Sequence, residues 1–152
     1  MNTRAIAARV LTEVVAEGRF LNLALETTLS GIPKPEDRAF VQALCYGVLR
    51  WYWRLDGILS ALTRKPIKDM EIRMLALIGL HQLIHTRVKP HAAVAETVAG
   101  AGPRQWAKPL LNGILRGYQR ERERLDAIAD ASEAGRHAHP DWLIRAFRED
   151  WP

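Results

Sequence analysis

The chain has 152 residues, of which 48% are hydrophobic and 26% charged. These values suit one soluble domain with a sizeable core. The formal net charge is +5, and most of the basic residues are arginine. Because the planar guanidinium matches phosphate oxygens with paired hydrogen bonds, this excess favours nucleic acid as the partner.

The chain carries no sign of export or membrane insertion. Its single cysteine, Cys45, excludes an internal disulfide and indicates a reducing compartment. No apolar run reaches the roughly 20 residues of a membrane-spanning helix, and the N-terminus lacks a signal-peptide core. We therefore expect a cytoplasmic protein without membrane contact.

Apolar residues recur at spacings of three and four, while apolar–polar alternation is scarce, which predicts an all-α fold. Gly18 ends the first helix, and the Lys65-Pro66 pair follows the third. The first three predicted helices cover residues 3–17, 21–29 and 36–62, the last as one long helix.

The second half of the chain predicts three more helices. Residues 69–86 are apolar around most of the circumference, which is typical of a central helix. Pro90 suits the first position of the next helix, which ends at Gly100. A sixth helix covers 106–124, where Gly113 is interpreted as permitting a close helix contact. The prediction is a bundle of six to seven helices.

The domain organisation follows from a change in composition after residue 125. Residues 1–125 form the predicted helical domain, and the small, polar residues 126–138 are interpreted as a frayed helix end and linker. Residues 139–152 (HPDWLIRAFREDWP) predict a short helix leading into a further domain. The aromatic end at Trp151-Pro152 suggests a cut at a domain boundary.

No catalytic constellation is visible. Cys45 lies in an apolar stretch, where a thiol behaves as a small buried hydrophobe rather than a nucleophile. His81 and His85 are four residues apart and His91 follows, a spacing that permits a metal site, although interhelical or surface histidines are the stronger interpretation. No glycine-rich nucleotide loop follows a strand. We expect no catalytic residue, metal or cofactor in this chain.

Basic residues near aromatic and amide side chains predict RNA contacts, since arginine binds phosphates while an aromatic ring stacks an unpaired base, worth ~1–3 kcal/mol. One stripe lies on the third helix and a second at spacing four on the sixth. For Trp51–Trp53, core packing is the stronger alternative, and any single cation is also explained as a surface charge. The candidate RNA-binding residues are Tyr46, Arg50 and Arg54; Asn112, Arg116 and Arg120; and Arg4, Arg9, Arg87, Lys89 and Lys108.

Five segments in their order resemble the N-terminal, NusB-like domain of the ribosomal RNA small subunit methyltransferase B family. They are ALCYGVLR at 43–50, GLHQLIHTR at 79–87, PHAAVAETV at 90–98, LLNGILR at 110–116 and HPDWL at 139–143. The resemblance implies a NusB-like bundle that helps present 16S rRNA to a C-terminal domain in cis. In that family the C-terminal domain methylates cytosine C5 with S-adenosylmethionine, so the parent protein is expected to be an enzyme although this chain alone is not.

Two other functions stay open from the sequence. One is a free-standing NusB-like transcription antitermination factor that binds leader RNA and a ribosomal protein. The other is a protein-docking module without direct RNA contact. Binding to DNA is not expected, since the resemblance concerns RNA.

Overall fold

The computed structural model describes residues 1–134, and in this range every regular element is an α-helix. None of these helices is long and apolar enough to cross a membrane. The predicted all-α bundle is confirmed, with eight helices in the described range: α1 (Thr3–Val15), α2 (Leu21–Leu29), α3 (Pro35–Arg50), α4 (Tyr52–Leu62), α5 (Met70–His85), α6 (Pro90–Ala99), α7 (Ala107–Arg120) and α8 (Arg122–Ala134).

Helix α5 is the centre of the bundle, as its apolar circumference predicts. All of its residues from Met74 to Leu83 are buried, and α1, α3, α4, α6 and α7 pack around it. Asp69 caps its N-terminus by accepting a hydrogen bond from the Ile72 amide at 3.1 Å, which satisfies one of the unpaired amides of the first turn. The core therefore forms around one helix whose ends are set by local signals.

The single long helix predicted over residues 36–62 is wrong. The chain turns at Trp51, whose backbone angles leave the helical region (φ −105°, ψ 20°). A straight helix of that length would extend about 40 Å, longer than a small bundle can cover. The break lets α3 pack on α1 and α5 while α4 packs on α5 and α8.

The predicted linker over residues 126–138 is wrong in its first part, because α8 continues to Ala134. Leu125 and Ala129, four residues apart, are buried, and α8 packs on α4 and α7. Two apolar residues are too few to reveal a buried helix face among the small polar residues of this segment. The segment forms a helix nonetheless, because it is rich in alanine, which has the highest helix propensity. The short helix predicted over 139–152 lies outside the described residues.

Two glycines permit the closest helix contacts, and both lie in the segments that carry the family resemblance. A Cβ on Gly47 would lie 2.1 Å from Nε2 of His81, and one on Gly79 would lie 2.7 Å from a methyl of Leu115. Gly47 thus joins α3 to α5, and Gly79 joins α5 to α7. The close contact expected at Gly113 is wrong, since Gly113 is exposed and a Cβ there would meet nothing within 4 Å.

A buried amide, next in sequence to His81, connects three helices. Oε1 of Gln82 accepts a hydrogen bond from Nε of Arg4 at 3.0 Å, and its Nε2 donates to Oγ1 of Thr97 at 3.0 Å. Gln82 and Thr97 are fully buried. Because buried polar groups are costly unless they are paired, these bonds fix the register of α1, α5 and α6.

Candidate nucleic-acid interface

A groove of about 590 Å³ runs between α6 and α7. Its apolar floor comes from α6, including Val94 and Val98, and its polar side comes mainly from α7. The residues that line it are Pro90, His91, Val94, Ala95, Val98, Asn112, Arg116 and Gln119.

The polar side of this groove offers hydrogen-bond donors to a ligand. Nε of Arg116 donates to Oδ1 of Asn112 at 3.1 Å, which orients the guanidinium along the helix. Within residues 1–134 Arg116 has no ion pair, so its remaining N–H groups face solvent with no carboxylate to satisfy them. Such an arrangement suits phosphate oxygens and the edges of unpaired bases.

Three further predicted cations lie beside the groove. Lys89 precedes the groove residue Pro90 and is exposed, as is Arg87 in the connection between α5 and α6. Arg120 is exposed one turn beyond Arg116 on α7. Lys108, one turn before Asn112, is half-buried and does not line the groove. The structure therefore brings the second predicted stripe together with the cations before α6.

The first predicted stripe, on α3 and α4, is placed differently. Nη1 of Arg54 donates to Oδ1 of Asp130 on α8 at 2.5 Å, and the Arg54 side chain is 12% exposed. Arg50 is exposed and lies over the Trp51 ring at 5.5 Å, while Tyr46 packs against the core. Arg54 therefore holds α8 against α4 through its ion pair with Asp130. This geometry does not support the predicted contact of Arg54 with RNA.

Trp51 and Trp53 pack against the core, as the alternative interpretation predicts. The Trp51 ring stacks on the His85 imidazole with a centroid distance of 4.5 Å and an interplanar angle of 13°. The imidazole therefore covers one face of the Trp51 indole, so a base cannot stack on that face.

Arg4 and Arg9, both on α1, lie in different environments. Arg4 donates a hydrogen bond to Gln82, lies 4.6 Å from the centroid of the Phe40 ring and is half-buried. Burial lowers the pKa of Arg4, an effect that the charge of Glu96 partly offsets. Arg9 is exposed on α1 but does not line the α6–α7 groove.

His81, His85 and His91 do not come together as the ligands of a metal ion. His81 is buried, His85 is half-buried against Trp51, and His91 is exposed in the groove. Among the described residues no group of three potential ligands could hold a metal ion. Cys45 is fully buried, with its Sγ 3.8 Å from the carbonyl oxygen of Ala7, and burial raises the pKa of its thiol.

Sequence reasoning missed His91 and Gln119 as groove residues. His91 was interpreted only with the other histidines, and Gln119 lies outside the spacing-four stripe. Their positions one residue after Pro90 and three after Arg116 become informative only once α6 is known to pack beside α7.

The fold and groove define an all-helical bundle with a central apolar helix and a basic surface cleft. The chain belongs to the NusB family, which it matches over residues 1–130.

Curated relatives extend this similarity to the whole chain. It is 46% identical to the ribosomal RNA small subunit methyltransferase B of Vibrio cholerae, with 100% of the chain and 36% of the relative covered. Identity is 42% with the protein of the same name from Pseudomonas putida, with the same coverage. For that of Escherichia fergusonii it is 39%, covering 99% of the chain and 36% of the relative. The chain thus spans about a third of the length of these relatives.

Proposed function

We propose that this chain is the RNA-binding part of a ribosomal RNA methyltransferase. It holds small-subunit (16S) rRNA through the α6–α7 groove while a C-terminal domain in cis, carrying S-adenosylmethionine, methylates a cytosine at C5. The relatives are named for rRNA methylation, and the chain matches only about a third of them. We place this activity in the cytoplasm, where rRNA is modified.

The observation that carries the proposal is the pairing of Arg116 and Asn112 above the apolar floor of the groove. Phosphate contacts fix the position of RNA, and loops with unpaired bases are read by side chains of this kind. A cytosine that is to be methylated must leave its stack to enter an active site. A separate domain that fixes the surrounding rRNA lets the catalytic domain act on that single base.

Arg116 is the cation that lines the α6–α7 groove. Replacing it (Arg116→Gln) removes one phosphate contact, so affinity for rRNA fragments should fall and the slope of log K against log salt should weaken by roughly one unit. Fluorescence anisotropy of labelled small-subunit rRNA fragments at several salt concentrations measures both quantities.

Arg124→Gln is the matched control, because Arg124 on α8 is also an exposed arginine but pairs with Glu121, the residue between α7 and α8, at 2.8 Å. It removes the same charge outside the groove and should leave the slope unchanged. Equal effects of the two variants, or no RNA binding at low salt, would overturn the proposal.

In the full-length protein, Arg116→Gln should raise the KM for rRNA and leave kcat nearly unchanged, since it removes binding and no catalytic group. A large loss of kcat at saturating rRNA would assign Arg116 a task beyond binding.

A further inference from the structure

A second groove, of about 680 Å³, lies between the α4–α5 connection and the start of α7. It is largely apolar, with walls that include Leu62, Ile67 and Leu110. Trp106 stands at its edge and is 57% exposed, an unusual exposure for the largest apolar side chain. Neither this second groove nor Trp106 is part of the α6–α7 groove.

The backbone that presents Trp106 is held in place by a bridge of ion pairs. Nε of Arg104 lies 3.0 Å from Oδ2 of Asp69, and its Nη1 lies 3.3 Å from Oε2 of Glu71. Both carboxylates belong to the start of α5, so the segment before α7 is fixed to the central helix two residues before Trp106. A fixed backbone beside Trp106 reduces the conformational entropy that must be lost when a flat ligand stacks on the ring.

The rim of this groove is cationic. Arg64, Lys65 and Lys68 line it and are exposed, and within the described range none of them has an ion pair. The carboxylate beside them, Asp69, is already occupied by Arg104 and the Ile72 amide. Unneutralised charge around a flat apolar surface complements a ligand that alternates anionic groups with planar rings.

We propose that this groove is a stacking site for unpaired RNA, an inference that rests on the proposed RNA-binding function. An unpaired base stacks on Trp106 against the apolar walls, and the adjoining phosphates pair with Arg64, Lys65 and Lys68. A single strand supplies both features in every nucleotide. A duplex, whose bases are already stacked on each other, supplies only the phosphates.

The test measures binding of the 152-residue chain to a fluorescent oligouridylate and to an RNA duplex of the same length. Trp106→Ala should weaken binding of the single strand about 5- to 150-fold, the loss expected for one stacked base, and leave duplex binding nearly unchanged. Trp106→Phe keeps an aromatic face and should retain most of the affinity. Lys65→Gln should reduce the salt slope for the single strand by about 0.7.

Leu23→Ala is the matched control, since Leu23 is also a large exposed apolar residue but lies on α2, outside the groove. It should leave single-strand binding unchanged. Circular dichroism should show full helical content for Trp106→Ala, because an exposed side chain contributes little to the core.

The outcomes separate the two proposals. If the wild-type chain binds no RNA at low salt, the proposed function and the stacking site are both overturned. If Arg116→Gln weakens the salt slope while Trp106→Ala binds the oligouridylate like wild type, only the stacking site is overturned. Binding of a glutamate-rich peptide that Trp106→Ala abolishes, with RNA binding intact, would assign the groove to an acidic protein and overturn it as well.

Discussion

Gly47→Ala should destabilise the protein although it raises the helix propensity of α3. The new Cβ would lie 2.1 Å from Nε2 and 2.4 Å from Cε1 of His81. His81 belongs to the central helix and is only 6% exposed, so the imidazole cannot move out to solvent. Overpacking of this kind costs about 1–3 kcal/mol or more, against up to about 1 kcal/mol gained in propensity. We expect a net loss near 2 kcal/mol, or about 4–8 °C in Tm.

Gly113→Ala is the matched control for this effect. Gly113 is also inside a helix, but a Cβ there would meet nothing within 4 Å. This change should raise the free energy of unfolding by up to about 1 kcal/mol. Thermal and urea unfolding of both variants give the comparison, and similar effects at the two positions would contradict the packing argument.

A double variant separates the contact with His81 from other effects at position 47. In Gly47→Ala/His81→Ala the clash is absent, so the double variant should lose less stability than the sum of the single variants. Additive losses would show that the cost of Gly47→Ala arises elsewhere in the helix.

Acid should destabilise the fold well before most carboxylates are protonated. Burial, with a smaller contribution from His85, lowers the pKa of His81 to about 4. Burial, together with the charges of Arg54 and Arg50 and opposed by Asp126, also lowers the pKa of His85 to about 4. Both values lie below the ordinary histidine pKa of about 6.5.

The direction of the pH effect follows from these values. Above pH 6.5 both imidazoles are neutral in the folded and unfolded states, and their contribution to stability is complete. As pH falls from about 6.5 to about 4, the unfolded chain binds protons that the folded protein does not, so the free energy of unfolding decreases. For His81 alone this amounts to about 3 kcal/mol. The contribution of His85, which is only partly buried, is reduced by solvent screening.

Urea unfolding at several pH values between 4.5 and 7 measures this slope. His81→Leu removes one titrating group and should flatten the slope, whatever its effect on stability at neutral pH. An unchanged slope in His81→Leu would show that the imidazole is not held neutral in the folded protein.

Part of the candidate site was predictable because its signal is local. Asn112 and Arg116 are four residues apart on one helix, and that spacing alone places them on the same face. His91 and Gln119 were not predicted, since their proximity depends on how α6 packs on α7. Trp106 gave no sign of exposure, because a tryptophan at a helix start is ordinarily part of the core.

The sequence by itself determined the all-α class, the central position of α5 and the beginnings of several helices. These depend on periodicity and on residues that favour helix starts, such as Asp69 and Pro90, whose effects extend only a few residues along the chain.

The tertiary structure alone decided the break at Trp51, the docking of α8 and the inward positions of Arg4 and Arg54. Arg4 meets Gln82 and Arg54 meets Asp130 across 78 and 76 residues of sequence. No local pattern specifies such pairs, because packing between distant helices decides which side chains face each other. The same packing pairs Arg54 of one predicted stripe with α8, leaves Arg50 of that stripe exposed, and places Asn112 and Arg116 of the other stripe in an open groove.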